Sequence, residues 1–200
     1  MKFTFRVDAS LKIGSGHLMR CLALASFLRR KRHKCYFICR DHIGNMESYL
    51  LERGFETYLL TSDITTKKSQ NKTLNALPEH YHFLEYEWKD DAMQVNQVLE
   101  KIKPDWLIVD HYGLDYRWEH EVKDNIKKLF VIDDLADRKH ISDLLLDQTL
   151  GRNKNDYKHL VKKNSEILAG SKYALLRSEF RKFRDISIKN RDFSTVSSIL

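Results

Sequence analysis

A histidine follows two closely spaced glycines near the amino terminus, in Ile13-Gly14-Ser15-Gly16-His17. Glycines at this spacing permit a tight turn and a close approach of the backbone to a ligand. Helical periodicity begins at His17, so the turn places the imidazole in the first turn of a helix. The positive end of a helix disfavours an imidazolium, and a neutral ring can accept a proton. The segment therefore predicts His17 as a general base and Gly14 and Gly16 as ligand-contacting backbone. An ordinary strand-to-helix turn is the alternative.

This glycine pattern lacks the features of the common phosphate-binding motifs. A dinucleotide-binding GxGxxG would need glycine where the chain has Met19, and no GxxxxGK[ST] segment is present. The pattern by itself indicates no specific cofactor.

Carboxylates follow the apolar segments of three predicted strands, at Asp8, Asp110 and Asp133. Ligands of open α/β sheets bind at the carboxyl ends of the strands. Asp8 and Asp110 would repel a diphosphate but could bond sugar hydroxyls or amide N–H groups, which predicts that this edge holds the neutral part of a ligand. Asp133 and Asp134 either cap the following helix or bond loop amides, or, as the alternative, contribute to a Mg²⁺ site. Tyr112 is expected either to contact a sugar or water, or to pack half-buried.

Hydrophobic periodicity predicts a Rossmann-like α/β fold. Short, uniformly apolar strands between helices indicate a parallel sheet covered by helices on both faces. Strands are predicted at 2–8, 35–39, 55–60, 106–109 and 129–132, with a shorter one at 167–168 and another at 195–200. Helices are predicted from His17 into the basic run and at 46–53, 89–103, 115–127 and 178–190, and a loop with some helix at 61–85.

The composition excludes several classes of protein. At 42% hydrophobic and 32% charged residues, the chain is neither collagen-like nor wholly disordered. It has no apolar run of membrane-spanning length and no apolar amino-terminal stretch, so we expect no membrane partner. Its three cysteines, at 21, 35 and 39, have neither disulfide-framework nor zinc spacing and predict a reducing cytoplasm.

A net charge of +7 favours anionic partners, and the basic residues concentrate at 29–34. This run either closes a helix, where cations meet the negative end of the dipole, or forms a nucleic-acid-binding module. No aromatic residues are interleaved with it, so the helix end is favoured and nucleic acid is not expected as a partner.

Several longer motifs, in order between residues 3 and 180, resemble those of one enzyme family. They are Val-Asp-Ala-Ser (7–10), Ile-Gly-Ser-Gly-His (13–17), Arg-Cys-Leu-Ala-Leu-Ala (20–25), Val-Asp-His-Tyr-Gly-Leu-Asp (109–115), Ile-Asp-Asp-Leu-Ala-Asp-Arg (132–138), Leu-Leu-Leu-Asp-Gln (144–148) and Tyr-Ala-Leu-Leu-Arg-Ser-Glu-Phe (173–180). The chain resembles the UDP-2,4-diacetamido-2,4,6-trideoxy-β-L-altropyranose hydrolases of pseudaminic acid biosynthesis. Related spore-coat polysaccharide proteins share these motifs.

The resemblance implies a fold and a mechanism. Such proteins look like two-domain, glycosyltransferase-B-like enzymes with the active site between two Rossmann-like domains. The base would be His17, and water would attack the anomeric carbon and release UDP from the UDP-activated diacetamido sugar, with no cofactor or metal. Arg177, in the last motif, would either pair with a phosphate or make a hinge contact. A related glycosyltransferase or epimerase is the alternative activity.

The resemblance also implies a division of the chain. We expect residues 1–165 to form the Rossmann-like domain that carries the base. Residues 166–200 would be an interdomain segment and the first strand of a truncated, nucleotide-binding C-terminal domain. The rest of the UDP site would then come from that missing domain or from a partner chain. Lys139 and Ser178 stand where family members are expected to have proline.

Overall fold

The computed structural model describes residues 1–61 and 87–189. In this part of the chain seven parallel strands form one sheet in the order β3-β2-β1-β4-β5-β6-β7. The strands are β1 (Lys2–Val7), β2 (Lys34–Arg40), β3 (Glu56–Leu60), β4 (Trp106–Asp110), β5 (Lys128–Ile132), β6 (Leu144–Asp147) and β7 (Glu166–Ala169). The α-helices are α1 (Gly16–Arg30), α2 (Glu47–Glu52), α3 (Trp88–Ile102), α4 (Tyr116–Val122) and α5 (Ser178–Lys189). The predicted Rossmann-like fold is confirmed.

Two apolar cores lie on the two faces of the sheet. Successive side chains of a strand point to opposite faces, so one strand contributes to both cores. In β4, Ile108 belongs to the core beneath α1 and α2, while Leu107 and Val109 belong to the core beneath α3 and α4. This double burial is why the strands read as continuous apolar runs in the sequence.

Helix α1 has the predicted apolar stripe. Leu18, Cys21, Leu22 and Ala25 are its buried residues, and its last turn contains the first two cations of the basic run. Arg29 donates a hydrogen bond to the carbonyl oxygen of Arg53 at 2.6 Å. The beginning of the run therefore closes α1, as the favoured interpretation predicts.

The structure differs from the predicted elements between residues 115 and 169. Helix α4 ends at Val122 and a 3-10 turn follows at Lys123–Asn125, so the helix is shorter than predicted. Strand β6 was not predicted, because no helix separates it from β5. The short strand predicted in the tail is β7, which pairs with β6 in the same sheet. Residues 166–169, assigned above to an interdomain segment, are therefore an edge strand of this sheet.

Two predicted elements fall on segments 62–86 and 190–200, outside the described residues. The predicted loop with some helix lies there except for residue 61, and so does the predicted strand at 195–200. The predicted basic helix at 178–190 is confirmed over the range of α5. Among the described residues, no helix is long and apolar enough to cross a membrane.

Candidate active site

The candidate base and one predicted carboxylate meet at the carboxyl edge of the sheet. Asp110 is the last residue of β4, next to β1, whose end leads through a turn to His17 in α1. His17 Nδ1 lies 2.6 Å from Asp110 Oδ1. A carboxylate accepts hydrogen bonds, so Nδ1 donates to Asp110, and in the neutral ring the lone pair is on Nε2. Nε2 has no hydrogen-bond partner among the described residues, and 13% of the His17 side chain is exposed.

The turn that precedes His17 depends on Gly14 and Ser10. Gly14 has φ +78, a left-handed conformation that favours glycine. Its amide donates to the carbonyl oxygen of Ser10 at 2.8 Å, and the Ser10 hydroxyl accepts from the amide of Ile13 at 3.0 Å. Apart from adjoining residues of the chain, no described residue has an atom within 4 Å of a Cβ built on Gly14 or Gly16, so the space above both is open. Their contact with a ligand stays a prediction.

Arg20 joins this pair although sequence reasoning did not select it. One turn after His17, it donates from Nε to Asp110 Oδ2 at 2.6 Å and from Nη2 to Asp110 Oδ1 at 2.7 Å. Its Nη1 donates to Asp134 Oδ2 at 2.9 Å. Residues three apart share one face of a helix, and this spacing was the available signal. Asp134 likewise belongs to the site through a contact that the sequence does not reveal.

Tyr112 packs directly against the candidate base. Its ring stands edge-on to that of His17, with centroids 4.5 Å apart and an interplanar angle of 87°. Burial and a hydrogen bond to Asp134 raise the pKa of the Tyr112 hydroxyl. The hydroxyl therefore stays protonated at neutral pH. The half-buried packing is observed, and contact of Tyr112 with a sugar or a water stays a prediction.

Asp110 is held ionised by its neighbours. Burial alone would raise its pKa, but hydrogen bonds from Arg20 and His17 outweigh burial and keep the pKa well below its usual range. Asp110 is thus an anionic acceptor throughout the neutral range, so it can fix the tautomer of His17.

Asp8 lies deeper than the predicted ligand contact would require. It is 1% exposed and accepts hydrogen bonds from the Arg6 guanidinium and, at 2.8 Å, from the Arg40 amide. His111 Nε2 lies 3.1 Å from its second oxygen, and His111 Nδ1 accepts from the Gly113 amide. Asp8 therefore supports the loop after β4 from below. This geometry favours a structural role for Asp8 over direct contact with a ligand.

A buried ionic network underlies the site and was also missed from the sequence. Asp91 of α3 accepts hydrogen bonds from Arg6 at 2.6 Å, Arg40 at 2.7 Å and the Trp118 indole at 2.9 Å. The negative charges of Asp91 and Asp8 thus offset the positive charges of the Arg6 and Arg40 guanidinium groups. The network joins strands β1 and β2 to helices α3 and α4.

Asp133 bonds a loop amide, as one of the two interpretations predicted. It accepts from the amide of Ala136 at 3.0 Å and from the Tyr157 hydroxyl at 2.9 Å, and it pairs with Arg138 at 2.9 Å. In the described part of the chain, no group of three or more His, Cys, Asp or Glu side chains is arranged to hold a metal ion.

Arg177 lies away from this cluster. It is exposed, and its guanidinium carbon lies 5.3 Å from the centroid of the Phe180 ring. It lines a groove between the outer surface of α1 and the beginning of α5. The structure does not bring it into contact with His17 or Asp110, and its pairing with a phosphate stays a prediction.

Comparisons with known proteins agree with the fold and the motifs. No family model matches the chain. The UDP-2,4-diacetamido-2,4,6-trideoxy-beta-L-altropyranose hydrolase of Campylobacter jejuni is 29% identical over 181 residues, which are 90% of this chain and 53% of that protein. The chain thus spans about half the length of this relative. The resemblance that the motifs indicate is confirmed.

Two solved structures support the architecture. Arabidopsis thaliana UGT89C1 complexed with UDP-L-rhamnose matches with a TM-score of 0.54 at 14% identity, covering 88% of this chain and 52% of that one. Acinetobacter baumannii MurG matches with a TM-score of 0.50 at 13% identity, covering 84% of this chain and 44% of that one. At these identities the likeness shows the fold alone, and it confirms the glycosyltransferase-B-like architecture of this part.

Proposed function

We propose that this chain carries the catalytic base of a UDP-sugar hydrolase, with UDP-2,4-diacetamido-2,4,6-trideoxy-β-L-altropyranose as the substrate. The observation that carries the proposal is the pair of His17 and Asp110 at the carboxyl edge of the sheet. Its support from other proteins is the Campylobacter jejuni hydrolase, which is similar over 90% of this chain.

The reaction needs one base. Nε2 of His17 takes a proton from water while the water oxygen bonds to the anomeric carbon. The bond between that carbon and the phosphate oxygen breaks, and UDP leaves with its electron pair. UDP is a stable anion, so the scheme needs no strong general acid, unlike hydrolysis of ordinary glycosides by two carboxylates. General-base catalysis of this kind contributes roughly 10²–10⁴-fold.

The chemistry of the site fits the sugar better than the diphosphate. Asp110 and Asp134 are anionic acceptors at this edge, and Arg20 is already engaged by both carboxylates. We therefore assign the sugar to the region of His17 and Tyr112. Recognition of UDP is assigned to the part of the relative's length that the match does not cover, supplied as further sequence or as a partner chain.

Isotope-labelled hydrolysis tests the proposal. The chain is incubated with the UDP-sugar in H₂¹⁸O, alone and together with a separately expressed C-terminal half of the Campylobacter jejuni hydrolase. Attack at the anomeric carbon places ¹⁸O in the free sugar, whereas attack at phosphorus places it in the nucleotide. His17→Ala is expected to lose at least 10²-fold in turnover.

The matched control is His159→Ala, because His159 is an exposed histidine outside the cluster. It should turn over like the wild type. Equal turnover in His17→Ala and wild type, or no UDP release by the wild type in either mixture, contradicts the proposal. Sugar transfer to an acceptor, or an epimer in place of free sugar, would replace it with the alternative activity.

A further inference from the structure

The carboxylate that orients His17 creates an electrostatic conflict. Asp110 lies 2.6 Å from Nδ1, close enough to fix the tautomer. An opposite charge at this distance also stabilises a protonated imidazole. A protonated ring cannot accept a proton from water, so orientation and basicity oppose each other unless another group offsets the carboxylate.

Arg20 is placed to supply that offset. Its guanidinium makes two hydrogen bonds to Asp110 and a third to Asp134. Its Nη2 lies 3.1 Å from His17 Nδ1. The Arg20 side chain is 12% exposed, so solvent screens its charge weakly. Burial alone would lower its pKa, but the bonds to Asp110 and Asp134 outweigh burial and raise it, so Arg20 is a permanent cation.

In the described part of the chain, the groups around Asp110 include no other cation that could offset the charge of this carboxylate. From α1 it faces His17, Arg20 and Cys21, whose thiol lies 3.5 Å away. Burial raises the pKa of Cys21, so this thiol is neutral. The loops after β4 and β5 add neutral Tyr112 and anionic Asp134. Removing the guanidinium would therefore leave two carboxylates and no compensating cation beside the imidazole.

We propose that Arg20 is a positioning residue that offsets the charge of Asp110, so that the carboxylate orients His17 without stabilising the protonated ring. The inference rests on the proposed function, in which His17 is the base. Arg20 acts through its three hydrogen bonds, and the fork of its guanidinium reaches Asp110 and Asp134 together. The same bonds hold the ends of β4 and β5 against α1.

The test is a titration of the His17 imidazole in the 200-residue chain, followed by ¹⁵N NMR without substrate. Arg20→Gln is expected to move the His17 titration curve to higher pH by about one unit, because a nearby cation has been removed. Asp110→Asn is expected to move the curve to lower pH, since it leaves the guanidinium beside the ring. The acidic limb of the pH–activity profile of Arg20→Gln should move to higher pH together with the titration curve. At alkaline pH the turnover of this variant should recover.

Arg117→Gln is the matched control, because Arg117 pairs with Asp115 at the beginning of α4 and does not contact His17. Its titration curve should coincide with that of the wild type. An unchanged curve in Arg20→Gln overturns the inference, and so does a shift to lower pH. If Arg20→Gln does not fold, the titration of His17 in Asp110→Asn decides the test. A His17 titration curve that is unchanged in Asp110→Asn, or that moves to higher pH, also overturns the inference. A shift without UDP release by the wild type contradicts the proposed function while supporting this inference.

Discussion

The hydrogen bond between Asp110 and His17 determines which nitrogen of the neutral ring carries the proton. Because a carboxylate can only accept, it keeps the proton on Nδ1. Position 17 could be selected from its neighbours in sequence, since the glycines and the helix start lie beside it. Asp110 and Asp134 lie 90 and 114 residues from their partner Arg20 in α1. Their pairing depends on strand order, which composition and spacing do not specify.

Replacement of Asp110 by asparagine tests the control of the tautomer. An amide can donate to Nδ1, which would transfer the proton to Nε2 and remove the acceptor for water. We expect kcat to fall by roughly 10²–10⁴-fold with a smaller change in KM, as for loss of general-base catalysis. Steady-state kinetics of UDP release measure the effect.

Asp105→Asn is the control for this substitution. Asp105 precedes β4 at the opposite edge of the sheet, where it accepts hydrogen bonds from Lys127 and from the Lys2 amide. Its replacement should leave kcat close to that of the wild type. A kcat for Asp110→Asn as high as that of Asp105→Asn would remove Asp110 from the mechanism.

At the scale of elements, the turn between β1 and α1 determines where the imidazole lies. Its two glycines serve different purposes, although the sequence pattern treats them alike. Gly14 adopts a left-handed conformation, whereas Gly16 is the first residue of α1 and has no positive φ. Since a Cβ at either position would contact none of the neighbours that the structure describes, backbone conformation separates the effects of alanine there.

Alanine substitutions at the two glycines should therefore change the free energy of unfolding in opposite directions. Gly14→Ala is expected to lower the free energy of unfolding by about 1 kcal/mol, because an L side chain is strained at this φ. Gly16→Ala should raise it by up to about 1 kcal/mol, because alanine favours the helix and restricts the unfolded chain. Urea denaturation measures both values. Destabilisation of equal size at both positions would show that the turn does not depend on the conformation of Gly14.

The elements that sequence patterns found were those flanked by helices. Strands β1 to β5 lie between segments with helical periodicity or clear turn residues. Strand β6 is reached from β5 through an irregular loop that includes Ala136 at φ +54. That loop is fixed by Arg138, which donates to the Leu114 carbonyl oxygen and pairs with Asp133. Such tertiary bonds have no local sequence signal, so the alternation of strands and helices could not indicate β6.

The ionic network around Asp91 should be the most sensitive link between elements. Asp91→Asn removes one of two carboxylates that offset buried Arg6 and Arg40. Loss of one partner from a buried ion pair costs about 3–5 kcal/mol, because an uncompensated charge remains. We expect a loss of this size in the free energy of unfolding, measured by urea denaturation.

The neighbouring Asp90→Asn is the control for this network. Asp90 lies in the first turn of the same helix, where a carboxylate stabilises the helix by interacting with the positive end of its dipole. Its removal should cost only about 0.3–1 kcal/mol. Equal effects of the two substitutions would show that the buried network contributes no more to the free energy of unfolding than a carboxylate at a helix terminus does.

At the scale of the whole molecule, the charged groups of the site lie between two apolar cores. The core under α1 and α2 and the core under α3 and α4 are separated by the sheet. Asp8, Asp91 and Asp110 are buried at or near the carboxyl ends of the central strands. Their burial is stable because arginines compensate their charges and histidines hydrogen-bond to them, so the site contributes to the stability of the fold through its ionised state.

Acid should therefore destabilise the whole fold. Burial would raise the pKa of Asp8, Asp91 and Asp110, but their ion pairs and hydrogen bonds, chiefly with Arg6 and Arg20, outweigh it and lower each pKa. In the unfolded chain these carboxyls return to a pKa of about 3.9. A lowered pKa contributes stability that is fully present above the unfolded value and is lost as pH falls toward the folded value. We expect the contribution of these groups to be constant from neutral pH to about pH 5 and to fall steeply below about pH 4.

Urea denaturation at a series of pH values from 7 to 3 measures this dependence. The free energy of unfolding of Asp91→Asn should fall less steeply with acid than that of the wild type, because one carboxyl with a lowered pKa has been removed. Asp90→Asn should follow the wild-type curve, since no comparable ion pair is lost. If the wild type keeps its full stability at pH 3, or if both variants have the same acid slope, the ionised carboxylates beneath His17 do not support the fold. The site would then be held by its apolar surroundings alone, and changing its charges would alter catalysis without altering stability.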